Sequence, residues 1–369
     1  MGARKYRVGI IGLSGITSGS PQPPGPRAAW QGWKVGAPFE REIIISHAAC
    51  LALMENVEVV GYCDLVAASR EKFKEDWGSR WPNARPYADY EEMLAAAELD
   101  ILTIATGDHR HAQMCVDGAG AGVRAIMVEK PLATSMADAN RMLEACAQNK
   151  VPLSVGHTRA WDPLYHKVRD MIRADLIGPL ATIYASQGGS RAMLFRNGTH
   201  VLHAVVFFAD APPQKTWAKL EDGFDDWDEY RGDGGKDPDM DPGVEGYIEF
   251  ANGAQAFFSS NKKTLTGSYI RLVGSRGQIS FGLNDGFATL QTQEAASGED
   301  ISRIINPVGI TSNYQQMGYV AAYQELIDLA AKGAGQSAGS GQQARHVVQV
   351  MMGFLKSHQV GCALVDVPQ

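Results

Sequence analysis

The first part of the chain alternates short apolar runs with longer amphipathic stretches. Five runs are apolar at nearly every position, which is typical of parallel strands covered on both faces. They are YRVGIIG (6–12), VEVVGYCD (57–64), DILTIAT (100–106), RAIMVEK (124–130) and PLSVGH (152–157). Helical patterns fall between them at 40–54, 66–77, 89–97, 110–121 and 135–149. The alternation predicts an α/β domain over residues 1–157, built on a doubly wound parallel sheet with right-handed crossovers.

The pattern changes after residue 157. A helix over 162–176 is stopped by Gly178 and Pro179, and helical patterns return at 200–209, 314–332 and 342–357. The strand-like runs between these helices are 180–189, 215–220, 243–260, 269–282 and 286–293. The Asn252-Gly253 pair between two β-rich runs predicts a hairpin. Residues 158–369 are therefore predicted to form an α+β domain with an open, mostly antiparallel sheet.

One glycine-rich turn has the context of a phosphate-binding loop. GLSGIT (12–17) directly follows a predicted strand, whereas GAGAG (118–122) and GAGQSAG (333–339) follow helices. Gly12 suits the tight turn, but Ser14 stands where a second glycine is usual. The expected helix is delayed by the proline-rich segment 18–39, so we interpret the turn as a fingerprint with an insertion. Its Trp30 and Trp33 would be costly to leave exposed to solvent. We therefore predict an ordered loop that packs these tryptophans over a cofactor cleft or onto a neighbouring subunit.

Two side chains at predicted strand ends are candidates for the chemistry. Asp64 ends the second strand, where an acid accepts both ribose hydroxyls of adenosine and repels a 2′-phosphate, which favours NAD over NADP. Its alternative role is to cap the helix that starts near residue 66. Lys130 in VEKPLA lies where open α/β sheets bind ligands, and it suits proton transfer. Its alternative role is that of a surface lysine opening a helix.

Composition narrows the possible partners. The chain has 369 residues, 45% of them hydrophobic and 20% charged, as in soluble two-domain proteins. Its net charge of −7 is concentrated in residues 221–242, which hold ten acidic and two basic residues and predict a solvated loop. The rest of the chain lacks a basic tract, which argues against a nucleic-acid partner.

The cysteines and the apolar runs bear on the compartment. Five scattered cysteines predict buried free thiols in a reducing compartment. The N-terminus enters a strand within a few residues, which leaves no room for a signal peptide. No apolar run reaches the roughly 18 residues that a membrane span needs. We therefore expect a cytoplasmic protein.

Taken together and in order, several motifs resemble the Gfo/Idh/MocA oxidoreductase family. They are the glycine turn, the acid after the second strand, ATGDHRHAQM (105–114), VEKPLA (128–133), VGHTRAWDPLYHKVRDMI (155–172), GTHVLH (198–203), VGSRGQISF (273–281) and the closing ALVDVP. The resemblance covers nearly the whole chain. It implies an N-terminal Rossmann domain that binds a nicotinamide cofactor. It also implies a second domain whose sheet forms the substrate cleft and the interface of a homo-oligomer, a dimer or a tetramer.

The resemblance also assigns roles to residues. The turn residues along the pyrophosphate would be Gly12, Ser14, Gly15 and Ile16, with Asp64 on the adenosine ribose. Thr106 and Arg159 would lie beside the cofactor, Glu129 and Lys130 near the nicotinamide and the substrate, and Trp161 along the cleft wall.

The chain departs from the family's catalytic pattern D-x-G-x-H-x-x-D. Gly198 and His200 match it, but Arg196 and His203 replace the two aspartates. Histidine can act as acid or base near neutral pH, so His200 is a candidate catalytic residue. His200 and His203 lack a third ligand of suitable spacing, so no metal is predicted. Arg196 suggests a substrate that carries negative charge or several hydroxyls, or a contact with a neighbouring loop, and we group Arg196, His203 and Trp161 as candidate substrate contacts.

These residues predict an NAD-dependent dehydrogenase acting on a secondary alcohol of a sugar, polyol or glycoside, with Lys130 and His200 as the proton-transfer pair. Two alternatives remain open. The first is a redox-neutral enzyme with tightly bound NAD that isomerises, eliminates or cleaves glycosides through transient oxidation. The second is a non-catalytic protein that senses dinucleotides or sugars.

Overall fold

The structure is a computed structural model, and it describes residues 4–19, 46–295, 302–304, 308–311 and 318–369. The chain divides into two compact units. The first unit comprises Met1–Trp161 and Gln315–Arg345, and the second comprises Asp162–Tyr314 and His346–Gln369. The sequence placed the domain boundary at residue 157, close to Trp161. It also placed residues 315–345 in the second domain, whereas the contacts join them to the first unit.

The first unit contains the predicted Rossmann sheet. Its strands are β1 (Tyr6–Ile11), β2 (Val57–Cys63), β3 (Arg85–Tyr87), β4 (Ile101–Ile104), β5 (Ala125–Val128) and β6 (Leu153–Val155). They pair in the order β3-β2-β1-β4-β5-β6, and every pairing is parallel. β4, β5 and β6 are buried at every position, as expected for strands covered on both faces. β3 was not predicted because it is a three-residue edge strand with exposed Arg85 and Pro86.

Helices cover this sheet, and most begin at a capping side chain. They are α1 (His47–Ala52), α2 (Ala67–Trp77), α3 (Tyr90–Ala96), α4 (His111–Gly120), α5 (Met136–Gln148) and, much later in the chain, α8 (Tyr319–Lys332). Ser46, Asp89 and Ser135 accept backbone N–H groups at the starts of α1, α3 and α5. α8 buries Tyr323 and Leu326 in the same core as Val8 and Ile10. That burial is why residues 315–345 belong to the first unit.

The second unit is built on a ten-stranded sheet. Its strands are β7 (Leu180–Gly188), β8 (Pro213–Leu220), β9 (Val244–Phe250), β10 (Gln255–Asn261), β11 (Gly267–Gly274), β12 (Gly277–Gly282), β13 (Phe287–Ala295), β14 (Ser302–Ile304), β15 (Val308–Thr311) and β16 (Val365–Asp366). The pairing of β7 with β10 is parallel and the others are antiparallel, which confirms the predicted mostly antiparallel sheet. The remaining helices are α6 (Pro163–Arg173), α7 (Thr199–Ala209) and α9 (Gly341–Gln359).

The two faces of this sheet differ in burial. On β7, Ile183 and Ala185 point into the core, whereas Tyr184 between them is exposed. Tyr184 stacks on Phe257 of β10 with ring centroids 5.5 Å apart, and Arg271 of β11 covers the Tyr184 ring at 4.7 Å. Together with Tyr269, which is 53% exposed, these side chains form an apolar surface that we call the aromatic face.

The acidic segment 221–242 packs more closely than the sequence suggested. Phe224 and Trp227 are buried, with ring centroids 5.1 Å apart, and Arg231 pairs with Asp226 and Asp228. The acidic side chains other than Asp241 are exposed or half-buried, as predicted for a solvated loop, while buried aromatic side chains anchor the segment on the second unit. The high acid count concealed these apolar anchors.

The cysteines and the helices bear on the expected compartment. All five cysteines are free thiols, four of them buried and Cys362 half-buried. Within the described ranges, no helix combines the length and the hydropathy that a membrane crossing requires. Trp30 and Trp33 lie outside the described residues, so the prediction for segment 18–39 stays a prediction.

Candidate cofactor and active site

The glycine turn lies at the carboxyl end of β1. Gly12 has φ +87°, and its N–H donates to the carbonyl of Cys63 at 2.8 Å. A Cβ atom at this position would stand 2.4 Å from the carbonyl oxygen of Ala105, so only glycine fits. Ser14 and Gly15 are exposed beyond it, and Ile16 is half-buried. The turn therefore presents backbone at the sheet edge where doubly wound folds bind phosphate.

The helix that follows the turn is joined directly to it. The first N–H groups of α1, from His47 and Ala48, donate to the carbonyls of Ile16 and Thr17 at 3.1 and 3.0 Å. Residues 17 and 47 are thus neighbours in space although the chain between them is long. This arrangement agrees with our interpretation of the turn as a fingerprint with an insertion. The structure begins α1 at His47, and the predicted residues 40–45 of this helix lie outside the described ranges.

Asp64 links the end of β2 to the glycine turn. One carboxylate oxygen accepts the N–H of Leu13 and the other accepts the N–H of Val66, both at 2.9 Å. Arg70 donates to the Asp64 backbone carbonyl at 2.5 Å. Each carboxylate oxygen has a second lone pair, so the group keeps acceptor capacity for ribose hydroxyls. The alternative role as a helix cap is not seen, because the N-cap residue of α2 is Val66, without a side-chain cap hydrogen bond, and at this helix Asp64 accepts only the N–H of Val66 itself.

A buried histidine joins two loops at the same sheet edge. The His111 ring contacts the carbonyl of Pro131 through Nδ1 at 2.9 Å and that of Thr106 through Nε2 at 3.2 Å. His111 is fully buried at the start of α4. It therefore fixes the loop after β4, which holds Thr106, against the loop after β5, which holds Lys130.

Glu129 is the centre of a buried hydrogen-bond network at the end of β5. Its Oε1 contacts His47 Nε2 at 3.1 Å and accepts a hydrogen bond from the Tyr319 hydroxyl, while Oε2 accepts the Lys130 N–H at 3.3 Å. His47 Nδ1 contacts the Tyr323 hydroxyl at 2.8 Å, and that hydroxyl contacts Thr103 at 2.8 Å. Side chains from α1 and α8 thus meet on one carboxylate, and Thr103 of β4 joins the network through Tyr323.

The network keeps Glu129 ionised. Burial alone would raise the pKa of its carboxyl group, because a charge is poorly solvated there. The hydrogen bond and charge of His47, the charge of Lys130 and the Tyr319 hydroxyl outweigh burial and lower the pKa to about 2. Burial and the Glu129 charge raise the pKa of the Tyr319 phenol well above its usual value, so it stays a neutral donor.

The depressed pKa of Glu129 predicts a specific loss of stability in acid. A carboxyl group whose folded pKa is below its unfolded value stabilises the fold above the unfolded pKa, and that contribution disappears as pH falls through the folded pKa. For Glu129 the window runs from pH 4.5 down to about 2. We expect the difference in unfolding free energy between wild type and Glu129→Gln to shrink on the order of 3 kcal/mol across it. Denaturant titrations at several pH values measure this difference, and a difference independent of pH would contradict the assignment.

Lys130, Arg159 and Trp161 also lie in the first unit. The Lys130 side chain is mostly buried, and its peptide bond to Pro131 is cis. Arg159 is half-buried in a short helical turn at Thr158–Trp161. The Trp161 indole is buried and donates to Glu325 at 2.8 Å. Trp161 therefore packs within the first unit, and its contact with substrate stays a prediction.

The second unit holds Arg196, His200 and His203. Arg196 donates to the carbonyl of Gly234 at 3.2 Å, so the contact with a neighbouring loop that its charge suggested is present. Asp241, buried in that loop, accepts the backbone N–H groups of Phe195 and Arg196. His200 is half-buried in the first turn of α7, and His203 is buried one turn later against Phe207. The pairing of His200 with Lys130 stays a prediction.

Sequence reasoning missed His47, His111, Tyr319 and Tyr323. His111 had a visible signal, because it lies in the quoted stretch ATGDHRHAQM directly after β4. His47, Tyr319 and Tyr323 had no visible signal, because the residues they contact lie far away along the chain. Among the described residues, no group of three or more histidine, cysteine or acidic side chains has the arrangement of a metal site.

Most of the first unit matches a family model, and part of the chain is similar in sequence to named dehydrogenases. Residues 6–157 match the model described as an oxidoreductase family with an NAD-binding Rossmann fold. A D-apiose dehydrogenase of Paraburkholderia graminis is 35% identical over 125 residues, which cover 34% of this chain and 32% of the relative. An inositol 2-dehydrogenase of Salmonella typhimurium is 29% identical over 126 residues, which cover 34% and 36%. The matched region thus spans about a third of the length of these relatives.

Solved structures extend the likeness of fold to the whole chain. An aldose-aldose oxidoreductase of Caulobacter crescentus, complexed with glycerol, superposes with a TM-score of 0.71 at 16% identity and covers 99% of this chain and 100% of that one. The WlbA dehydrogenase of Bordetella pertussis, in complex with NADH and UDP-GlcNAcA, gives the same TM-score, identity and coverage. At this identity the comparison establishes the fold.

Proposed function

We propose that the chain, whose residues 6–157 match the Gfo/Idh/MocA oxidoreductase family, oxidises a secondary alcohol of a sugar, polyol or glycoside with NAD. One observation carries the proposal. Lys130 follows a carboxylate that side chains of α1 and α8 hold ionised, at the sheet edge that also carries the glycine turn. A lysine of this kind is suited to moving a proton.

The residues present fit a dinucleotide. Gly12 lets the turn pass close to the Ala105 carbonyl at the sheet edge, and Asp64 keeps acceptor capacity beside the turn. We assign the pyrophosphate to the turn residues 12–16 and the adenosine ribose to Asp64, with Thr106, Glu129 and Arg159 along the rest of the cofactor. A bound nicotinamide supplies the hydride acceptor.

The protein's own part is to hold the alcohol and move its proton. We assign Lys130 as the group that accepts the hydroxyl proton, because its side chain is mostly buried at the sheet edge where doubly wound folds bind their ligands. His200 is the second proton carrier, and Arg196, His203 and Trp161 are the candidate substrate contacts. Arg196 and His203 stand where the family has two aspartates. For this reason the test below also distinguishes a redox-neutral reaction.

Absorbance at 340 nm tests the function. The purified protein is first analysed for bound nucleotide and then incubated with NAD and a panel of aldoses, polyols and glycosides. Net formation of NADH with one member supports the proposal. Bound NAD with a converted substrate and no net NADH indicates a redox-neutral enzyme, and binding without conversion indicates a sensing protein.

Asp64 is expected to determine the choice between NAD and NADP. Its carboxylate would face a 2′-phosphate, and two like charges a few ångströms apart repel by several kcal/mol at protein surfaces. We expect Asp64→Ala to change the ratio of the two dissociation constants by about 10- to 100-fold in favour of NADP. Calorimetry with both cofactors measures the ratio, and Glu75→Ala, an exposed acid on α2, is the control. An unchanged ratio would contradict the role of Asp64.

We also propose that the protein is a homo-oligomer that associates through the aromatic face. Tyr184, Phe257 and Tyr269 are between 42% and 53% exposed on adjoining strands, which is unusual for large side chains on a monomer surface. We expect Phe257→Glu to halve the mass measured by light scattering or to lower it further. The control is Leu65→Glu, which replaces an exposed leucine of the first unit outside the aromatic face and should leave the mass unchanged. A wild-type monomer would rule the proposal out.

A further inference from the structure

A short turn of π-helix leads into α7, the helix that carries His200. It comprises Leu194–Gly198, and we call it the π-turn. The first N–H groups of a helix have no acceptors within it and need partners from elsewhere. Here the N–H groups of Phe195 and Arg196 donate to the two carboxylate oxygens of Asp241, at 3.1 and 2.9 Å. One buried carboxylate from a distant part of the chain thus caps the π-turn.

The acidic segment 221–242, to which Asp241 belongs, also holds the π-turn through aromatic side chains. Phe195 is fully buried, and the centroid of its ring lies 4.6 Å from that of Tyr230 and 6.3 Å from that of Trp227. Aromatic pairs at such distances stabilise a structure beyond the area that they bury. The π-turn is therefore packed against the acidic segment as well as capped by it.

Two arginines reach back from the π-turn and its approach to the acidic segment. Arg191 donates to the carbonyl of Gly235 at 2.9 Å. Arg196 donates to the carbonyl of Gly234 at 3.2 Å. A Cβ atom on Gly235 would stand 2.3 Å from Cδ of Arg196, so a glycine lets this side chain lie across the segment. The two stretches of chain thus hold each other in both directions.

The acidic segment is itself tied to the sheet of the second unit. Lys262, directly after β10, donates to the carboxylate of Glu221 and to the carbonyl of Pro238, the latter at 2.6 Å. Its ammonium group also lies 5.3 Å from the centroid of the Phe224 ring. Lys262 therefore fixes an early and a late residue of the segment at once. The partner that caps the π-turn is for this reason held in place by the sheet.

We propose that Asp241 is a positioning residue, which fixes the π-turn and through it the imidazole of His200. The inference deepens the proposed role of His200 as a proton carrier and rests on it. Asp241 acts through the backbone, because each of its oxygens accepts a main-chain N–H. His200 lies two residues after the π-turn, in the first turn of α7, so a displacement of the π-turn moves its side chain.

Asp241→Asn tests the proposal with little change of shape. An asparagine side chain has one acceptor oxygen, so its NH2 group would face a backbone N–H, and two donors cannot bond to each other. We expect the amides of residues 194–198 to exchange with deuterium about 10- to 100-fold faster, as measured by mass spectrometry of peptides that cover the π-turn. Asp226→Asn, which removes an exposed carboxylate of the same segment, is the matched control.

Two further readouts separate the positioning of His200 from a general effect on the fold. The ring signal of His200 in spectra of protein labelled with 13C-histidine, assigned by its loss in His200→Gln, should move in Asp241→Asn and stay in place in Asp226→Asn. With a substrate from the panel of aldoses, polyols and glycosides, kcat of Asp241→Asn should fall about 10- to 100-fold. The Kd for NAD should stay within a few-fold of wild type, because its assigned residues lie in the first unit.

Each outcome decides the proposal. Faster exchange confined to the π-turn and α7, a moved His200 signal and a lower kcat support it. Unchanged exchange, an unmoved signal or an unchanged kcat overturns it, and so does faster exchange throughout the second unit, which shows a role in folding alone. If Asp241→Asn does not fold, Gly235→Ala displaces Arg196 and should also speed exchange in the π-turn, and no change there overturns the proposal.

The exchange rates and the His200 signal are measured without substrate or cofactor. A wild-type protein that converts no member of the panel would therefore contradict the proposed function, while these two readouts still decide whether Asp241 positions His200.

Discussion

Lys130→Ala is expected to lower turnover by about 10²- to 10⁴-fold, the usual contribution of a positioned acid or base. The side chain is mostly buried and follows the carboxylate on which His47 and Tyr319 converge. Alanine cannot accept the hydroxyl proton, and the phenols of Tyr319 and Tyr323 cannot replace the lysine because they keep their protons. The rate of NADH formation, measured with the best member of the substrate panel, gives the effect.

Two further measurements make the result specific. Lys72→Ala removes an exposed lysine whose partner is Asp76, and it should leave turnover unchanged. The NAD dissociation constant of Lys130→Ala should stay within a few-fold of wild type, since we assign binding mainly to the glycine turn and Asp64. Turnover of Lys130→Ala within a few-fold of wild type would show that another group moves the proton.

Gly12→Ala is expected to be the most damaging substitution in the glycine turn. A Cβ atom there meets the Ala105 carbonyl oxygen at 2.4 Å, and the φ of +87° is itself strained for alanine. Backbone strain of this kind costs about 1–3 kcal/mol, and the clash with a neighbouring strand end adds to it. We expect a loss of about 3 kcal/mol or more in unfolding free energy, together with a large loss of NAD affinity.

Gly15→Ala provides the matched comparison. Gly15 also has a positive φ, +59°, but a Cβ atom there meets nothing within 4 Å. The loss of stability should therefore be about 1 kcal/mol, from conformation alone. Urea titrations of both variants separate the clash from the strain. Equal losses in the two variants would mean that the close approach to Ala105 does not constrain the turn.

Local patterns in the sequence were enough to predict the layout of both units. Continuous apolar runs located five of the six Rossmann strands, and Asn252-Gly253 located the hairpin between β9 and β10. These features depend on neighbours in sequence, which periodicity and turn chemistry describe directly. Short edge strands such as β3 and β16 carry too few residues to show a period.

The candidate site was predictable only in part, for a physical reason. Gly12, Asp64 and Lys130 follow strands, so their convergence comes from the rule that parallel strands end at one edge. The partners of Glu129 come instead from α1 and α8, and His47 and Tyr323 are 276 residues apart. No local pattern encodes such a contact. The same lack of a local signal explains why the sequence did not place α8, which brings Tyr319 and Tyr323 to Glu129, with the first unit, whereas the contacts do.

The two ends of the segment between the glycine turn and α1 almost touch. A Cβ atom on Gly19 would stand 2.3 Å from the Ser46 hydroxyl, closer than van der Waals contact, and the carbonyls of Ile16 and Thr17 accept the first N–H groups of α1. We therefore expect a two- or three-residue glycine linker to join Gly19 to Ser46 without altering the sheet. Such a deletion variant would show which property, whether substrate choice, assembly or cofactor retention, depends on residues 20–45.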